Sequence, residues 1–262
     1  MTAMTSLGAA EELRAPGPVR VLWAEVADEL RAILREPAAL FFSVIMPVMF
    51  YALFAALFRD FQTDQGLPAA TAMLATYGTF GVGSVVLLNP GIGVAEDRAR
   101  GWLRVKKVSA TPVSVTLLAK VLATLPYALA VIIALTLISL VLQGPVLEPV
   151  RWLRLVAVLL IGALPLAFIG LTVGFLASAT AATAVLNGIW LPMVVASGLW
   201  MPLSIMPSWV QSIASFLPPY HLAQLALAQI SPGSIAVHLL ALLVTGSIGG
   251  VLAGVPYRNL RL

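Results

Sequence analysis

The sequence contains no cysteine, which excludes disulfides, thiolate catalysis and Cys-containing metal sites and leaves the redox compartment unspecified. Charge is scarce: Asp, Glu, Lys and Arg make up 10% of the 262 residues, against about a quarter in ordinary soluble domains. No GxxxxGK[ST] phosphate loop occurs, so ATP has no binding site of that kind on this chain. Gly91 and Gly93 lack the third glycine and the strand context of a dinucleotide fingerprint. His221 and His238 stand apart from each other and from acidic residues in the sequence, which argues against a metal site. The many serines and threonines have no acid and histidine at recognisable triad spacing. The long apolar runs hold no Asp or Glu, which ion-coupled carriers commonly use. Whatever drives this protein is therefore expected to come from another chain.

What the sequence has in abundance is apolar surface. Hydrophobic residues make up 60% of it, and the mean hydropathy is +1.00. This composition predicts an all-α integral membrane protein with no separate globular domain. Met1 to Arg14 contain Glu11 and Glu12 and no basic start ahead of an apolar core, so a cleaved signal peptide is not expected. The net charge of +4 is attributed to loops that set membrane topology and not to nucleic acid, which is not an expected partner.

After a tail over residues 1–18, Val19, Leu22, Trp23, Val26, Leu30, Ile33 and Leu34 recur at helical spacing, with Arg20, Glu25, Asp28, Glu29, Arg31 and Arg35 between them. This predicts an amphipathic helix over 19–36 that lies on the membrane surface. Packing on a soluble partner is the weaker alternative, because membrane sequence follows at once. A six-span domain is expected over 38–256. Its first span, Ala38 to Phe58, is about 31 Å long as a helix and kinked by Pro47. The second, Thr71 to Ala95, is rich in small and polar residues, which favour close helix packing and hydrogen bonds to neighbouring helices. The third, Val113 to Leu142, has Pro126 breaking its middle and Lys120 placed to snorkel to the interface. The fourth, Leu153 to Ala177, contains Gly170 and Gly174 at close-crossing spacing. Ser178 to Thr183 reads as a turn before the fifth span, Ala184 to Trp200. Residues 201–220 carry too many prolines to span and predict a broken, re-entrant outer hairpin. The sixth, Ile235 to Pro256, holds Gly246, Gly250 and Gly254, and residues 257–262 form a C-terminal tail. Basic residues concentrate on the side of the termini, which places both termini in the cytoplasm of an inner or plasma membrane.

One charged island interrupts the apolar sequence, Glu96 to Pro112, read EDRARGWLRVKKVSATP. Arg98, Arg100, Arg104, Lys106 and Lys107 are spaced as on a short surface helix, with Trp102, Leu103, Val105 and Val108 interleaved. A second notable run is Ser197-Gly198-Leu199-Trp200-Met201-Pro202, continued by Met206-Pro207-Ser208-Trp209-Val210-Gln211 and Leu217-Pro218-Pro219-Tyr220. Together these segments resemble the cytoplasmic segment after the second span, and the region before the last span, of the ABC-2-type permeases. Those are membrane subunits of one class of ATP-binding-cassette exporters. The family often has Glu-Arg-Glu and Gly-Thr-Leu where this chain has Glu96-Asp97-Arg98 and Gly101-Trp102-Leu103.

The resemblance implies that the island over 96–112 includes a coupling helix seated on a separate nucleotide-binding subunit, and that the 19–36 helix is an interfacial elbow. The implied ATPase-coupling residues are Glu96, Asp97, Arg98, Arg100, Gly101, Trp102, Leu103, Arg104, Lys106 and Lys107. Trp200, Met201, Pro202, Pro207, Trp209, Phe216 and Tyr220 would then stand at an outer gate or pathway; capping the spans and anchoring at the interface are the plainer roles for these residues. The implied partners are an ABC ATPase, a second permease copy or paralogue, and membrane lipids. No cofactor is expected on this chain, with ATP and Mg on the partner subunit. The function expected is outward movement of an amphiphile, such as a drug-like natural product, a lipid or a lipid-linked glycan, by a chain that is not catalytic alone. The alternative is an ATP-independent secondary carrier or a membrane scaffold; a membrane-embedded enzyme has less support.

Overall fold

The computed structural model describes residues 17–35, 41–63, 66–108, 112–144 and 147–258. Among them the protein is helical, without a β-strand. Helix α1 spans Pro18–Leu34, α2 Met46–Leu57 after a π-turn at Phe41–Ile45, α3 Ala69–Ala99 and α4 Trp102–Val108. Then come α5 (Val113–Gln143), α6 (Pro149–Gly162), α7 (Leu164–Leu176) and α8 (Ala179–Ala196). A 3-10 turn at Leu203–Ile205 leads to α9 (Ser208–Ala214), α10 (Pro218–Leu227) and α11 (Ala236–Arg258).

Among the described residues, five helical segments are long and apolar enough to cross a membrane: α3, α5, the α6–α7 pair, α8 and α11. The stretch Ser43–Leu57, containing α2, is apolar but shorter. The start expected for the first span, residues 38–40, lies outside the described residues. Pro47 follows the π-turn directly. Proline has no N–H to donate and its ring crowds the carbonyl four residues back, so a locally widened helix is the expected accommodation. Pro126 does not break its span; α5 continues through it, as α3 does through Pro90 and α8 through Pro192. One lost hydrogen bond does not end a long helix; the usual consequence of an internal proline is a kink. Pro165 is different, because α6 ends and α7 begins around Ala163, with Leu166 N–H donating to Ala163 O at 2.9 Å.

Helix α3 is the hub, with 89% of its most apolar stretch inside the protein against 17% for α11. It packs against α7, α5, α8, α2 and α10. The closest approach is backbone to backbone: a methyl group on Gly170 would meet Leu87 O at 2.1 Å, and one on Gly174 would meet Gly91 O at 2.3 Å. The pair expected to let helices cross closely does so. Of the ladder expected in the last span, Gly246 lies against Pro165, while Gly250 and Gly254 face open space. Gly249, against Phe168, completes the contact with α7.

The polar residues of α3 mostly bond their own helix and not a neighbour. Thr79, Ser84 and Asn89 donate to the carbonyls of Ala75, Phe80 and Val85. Bonds that do cross include Thr71 Oγ1 to Gln143 Oε1 at 3.3 Å, Tyr77 Oη to Trp200 O at 3.2 Å and Trp190 Nε1 to Ser84 Oγ at 2.6 Å. Ser178 to Thr183 is not a turn. Ser178 caps α8 by accepting from Ala181 N–H at 3.3 Å, and the alanines after it are helical, as their high helix propensity favours.

Leucine at Gly170 is expected to force α3 and α7 apart and cost about 3 kcal/mol or more, read as a marked fall in Tm in detergent. Gly250→Leu, facing open space, is expected to change Tm little.

Candidate functional site

The charged island is not one surface helix. Glu96, Asp97 and Arg98 complete the last turn of α3, the chain turns at Arg100 and Gly101, and α4 follows. Gly101 has φ +73°, the left-handed conformation that lets a helix end and the next begin. No atom lies within 4 Å of where its Cβ would be, so backbone conformation alone favours glycine here.

Consecutive helical residues point about 100° apart, and the acidic and basic groups of this turn go three ways. Glu96 faces outward and accepts from Arg100 at 3.0 Å. Arg98 turns inward and donates to Gly174 O at 2.9 Å and Ala177 O at 3.2 Å. These carbonyls belong to the end of α7, where a helix lacks internal donors and carries partial negative charge. Asp97 faces α5, with Oδ2 2.8 Å from Lys120 Nζ.

Lys120 does not snorkel. It is 6% exposed and donates to Glu29 Oε2 of α1 at 2.8 Å, so one ammonium joins α1, α3 and α5. Gly93, one turn before Asp97, makes the space: a methyl group there would stand 3.2 Å from the ammonium nitrogen. Nearby, Lys106 of α4 donates to Glu25 Oε1, and Thr116 donates to Glu25 Oε2 at 3.3 Å. Burial pushes the Glu29 carboxyl above the ordinary carboxylate range, and the attraction of Lys120 opposes that push.

Glu25 and Glu29 were expected on the polar side of α1. They flank its packed stripe instead, because Leu22, Val26, Leu30 and Ile33 pack on Ala119, Ala123 and Leu122 of α5. Their four-residue spacing beside that stripe was the available signal, together with a lysine inside an otherwise apolar span.

Helix α4 divides in the same manner. Leu103 is fully buried with Val94, Val113, Leu171, Phe175 and Ala253. Trp102 and Val105 are about half exposed, at 47% and 52%. Lys106 Nζ lies 5.6 Å from the Trp102 ring centroid. Of the ten expected coupling residues, Asp97, Arg98, Leu103 and Lys106 thus hold the protein together, whereas Glu96, Arg100 and Trp102 remain at the surface. The side chains of Arg104 and Lys107 lie outside the described residues.

At the opposite end, the expected gate residues separate similarly. Trp200 joins an internal aromatic cluster, stacked on Phe50 at 5.2 Å and edge-on to Phe80 at 5.6 Å. Met201, Pro202 and Pro207 are exposed, as are Trp209 and, most fully, Phe216. Tyr220 begins no exposed loop; it lies in α10, which packs among α3, α6 and α11. The two histidines, far apart in sequence, meet here, with His221 Nδ1 2.9 Å from His238 Nδ1. Two clefts open at this end, of 260 Å³ beside Trp152 and 390 Å³ beside Arg151.

Residues 20–231 match the sequence model of a family described as ABC-2 type transporter. The chain is also 26% identical, over 216 residues, to a Bacillus subtilis (strain 168) protein described as "Putative transport permease YvfS", covering 82% of this chain and 88% of that protein.

Replacing Lys120 by methionine leaves Glu29 and Asp97 facing each other without their cation. The expected cost is about 3–5 kcal/mol, read as a loss of Tm. Adding Glu29→Gln and Asp97→Asn to that variant is expected to restore much of the loss, because the remaining groups are then neutral.

Proposed function

Because the chain belongs to the ABC-2 type transporter family, we propose that it is the membrane permease subunit of an ATP-driven exporter, working with a separate ATPase that holds ATP and Mg. In this reading α2, with the residues before it, is the first of six spans, α1 lies along the membrane surface, and both termini are cytoplasmic. The chain moves its cargo and is not catalytic alone.

The observation that carries the proposal is the two-sided construction around α4. Its outer side presents Trp102 and Val105, next to Arg100 at the helix turn. Its inner side is locked by Leu103 to α3, α5, α7 and α11, and by Lys106 to α1. A partner pressing on that outer side would therefore move several spans as a rigid body, which is how a nucleotide-driven change elsewhere becomes motion in the membrane. An exposed aromatic beside a cation is also the kind of anchor that protein interfaces use.

A second permease copy is supported by the open side of α8. Thr180, Thr183 and Gly188 are exposed there, and small residues on a helix face let a second helix approach closely. The cargo is read as an amphiphile, such as a drug-like natural product, a lipid or a lipid-linked glycan, because Lys120 is the charged residue within the described spans between the island and Arg151 and it is already paired.

The test is reconstitution in liposomes with the ATPase subunit, measuring ATP-dependent movement of a fluorescent amphiphile. Movement under an ion gradient without the ATPase would instead establish a secondary carrier. Trp102→Glu combined with Val105→Glu is expected to leave Tm nearly unchanged while lowering ATPase association and transport about 10-fold or more. Unchanged association and transport would overturn the coupling assignment.

A further inference from the structure

The chain has two histidines, and the fold brings them into contact across two elements, His221 in α10 and His238 in the first turn of α11. Their ring centroids are 5.2 Å apart, and Tyr220 lies edge-on to both, at 5.4 and 5.8 Å. His221 Nε2 is 2.9 Å from Ser215 O. A carbonyl only accepts, so Nε2 carries the proton and a neutral His221 presents a bare lone pair at Nδ1. Metal-ligating histidines share this anchoring of one ring nitrogen on a backbone carbonyl; here the other nitrogen, Nδ1, accepts from His238 Nδ1 until a metal displaces that proton.

We propose that His221 and His238 form a binding site for a divalent transition-metal cation that accepts cis square-planar nitrogen ligands, of the copper(II) or nickel(II) type, with water completing the coordination. The argument is geometric. Metal–imidazole bonds are about 2.0–2.1 Å, so two nitrogens at a right angle about one metal stand roughly 2.8–3.0 Å apart, and at a tetrahedral angle roughly 3.3–3.4 Å apart. The two Nδ1 atoms stand 2.9 Å apart, the separation their hydrogen bond sets, so cis square-planar ligation of the copper(II) or nickel(II) type requires the two rings to turn toward a common metal without moving apart. In the metal-free state His238 Nδ1 donates its proton to His221 Nδ1. Coordination moves that proton to His238 Nε2, and both Nδ1 lone pairs then face the metal.

No group of three or more His, Cys, Asp or Glu stands together as a metal cluster among the described residues. Neighbouring α8, α9 and α10 contain no acidic residue, and α6 contributes only Arg151 and Arg154. The site is accordingly a two-imidazole site that exchanges its metal, not a closed structural one. Occupancy would add a coordinate link to the packing that α10 and α11 already make with each other. The proposal does not depend on how transport is powered.

Because the chain has no cysteine and no third histidine, any copper signal from two imidazoles must come from this pair. The experiment is electron paramagnetic resonance, with envelope modulation, on the purified full-length chain freed of any histidine tag and given one equivalent of copper(II). Modulation from two equivalent imidazoles in the wild type is expected, reduced to one or none in both His221→Ala and His238→Gln. A copper-dependent rise in Tm is expected in the wild type and absent from both variants. A wild-type spectrum without imidazole modulation, or one unchanged in the double variant, would overturn the site and leave the pair as a hydrogen bond between helices.

Discussion

The contact between α3 and α7 at Gly91, Gly170 and Gly174 is the constraint on which the rest of the structure depends. In hydrocarbon, apolar side chains gain little by leaving lipid for one another, so helices stay together through close packing and hydrogen bonds. Here two backbones approach to where no side chain fits. That proximity carries α3 through the middle of the bundle and brings Arg98 within reach of Gly174 O and Ala177 O. It thereby sets the height of the last turn of α3, from which Asp97 faces Lys120.

Two kinds of charge result from one short stretch of sequence. Charges that face inward tie α1, α3, α4 and α5 together, and charges that face outward leave a surface with an exposed tryptophan. The inward set sits in low dielectric, where a missing partner is costly; the outward Glu96–Arg100 pair is solvated and contributes little to stability. A charged segment can therefore hold a fold together and still offer a docking face, because its helix turns distribute consecutive residues among different neighbours.

Much of this was legible in the sequence. Apolar runs located the helices that cross the membrane, Gly170 and Gly174 announced a close crossing, and the island stood out against its surroundings. What was not legible depended on direction and on distance along the chain. Spacing placed Glu25 and Glu29 among polar positions, yet a helix packed at one edge presents the residues beside its apolar stripe to the same neighbour. Lys120 read as an interfacial lysine because its partners are 91 residues earlier and on the preceding span. His221 and His238 looked isolated for the same reason, since only the turn between α10 and α11 folds them together. The early start of α8 is masked by the Ser and Thr of SATAAT, which favour loops, although the alanines govern once Ser178 caps the helix.

The ion pair between Glu29 and Lys120 has a consequence for biosynthesis. A lysine resists entry into a bilayer, by roughly 2.5–3.5 kcal/mol near the centre of a span. Translation runs from the N-terminus, so Glu29, and later Asp97, are already made when Lys120 leaves the ribosome. The lysine thus arrives after both carboxylates that will receive it, and the order of synthesis itself favours seating α5 at the correct depth.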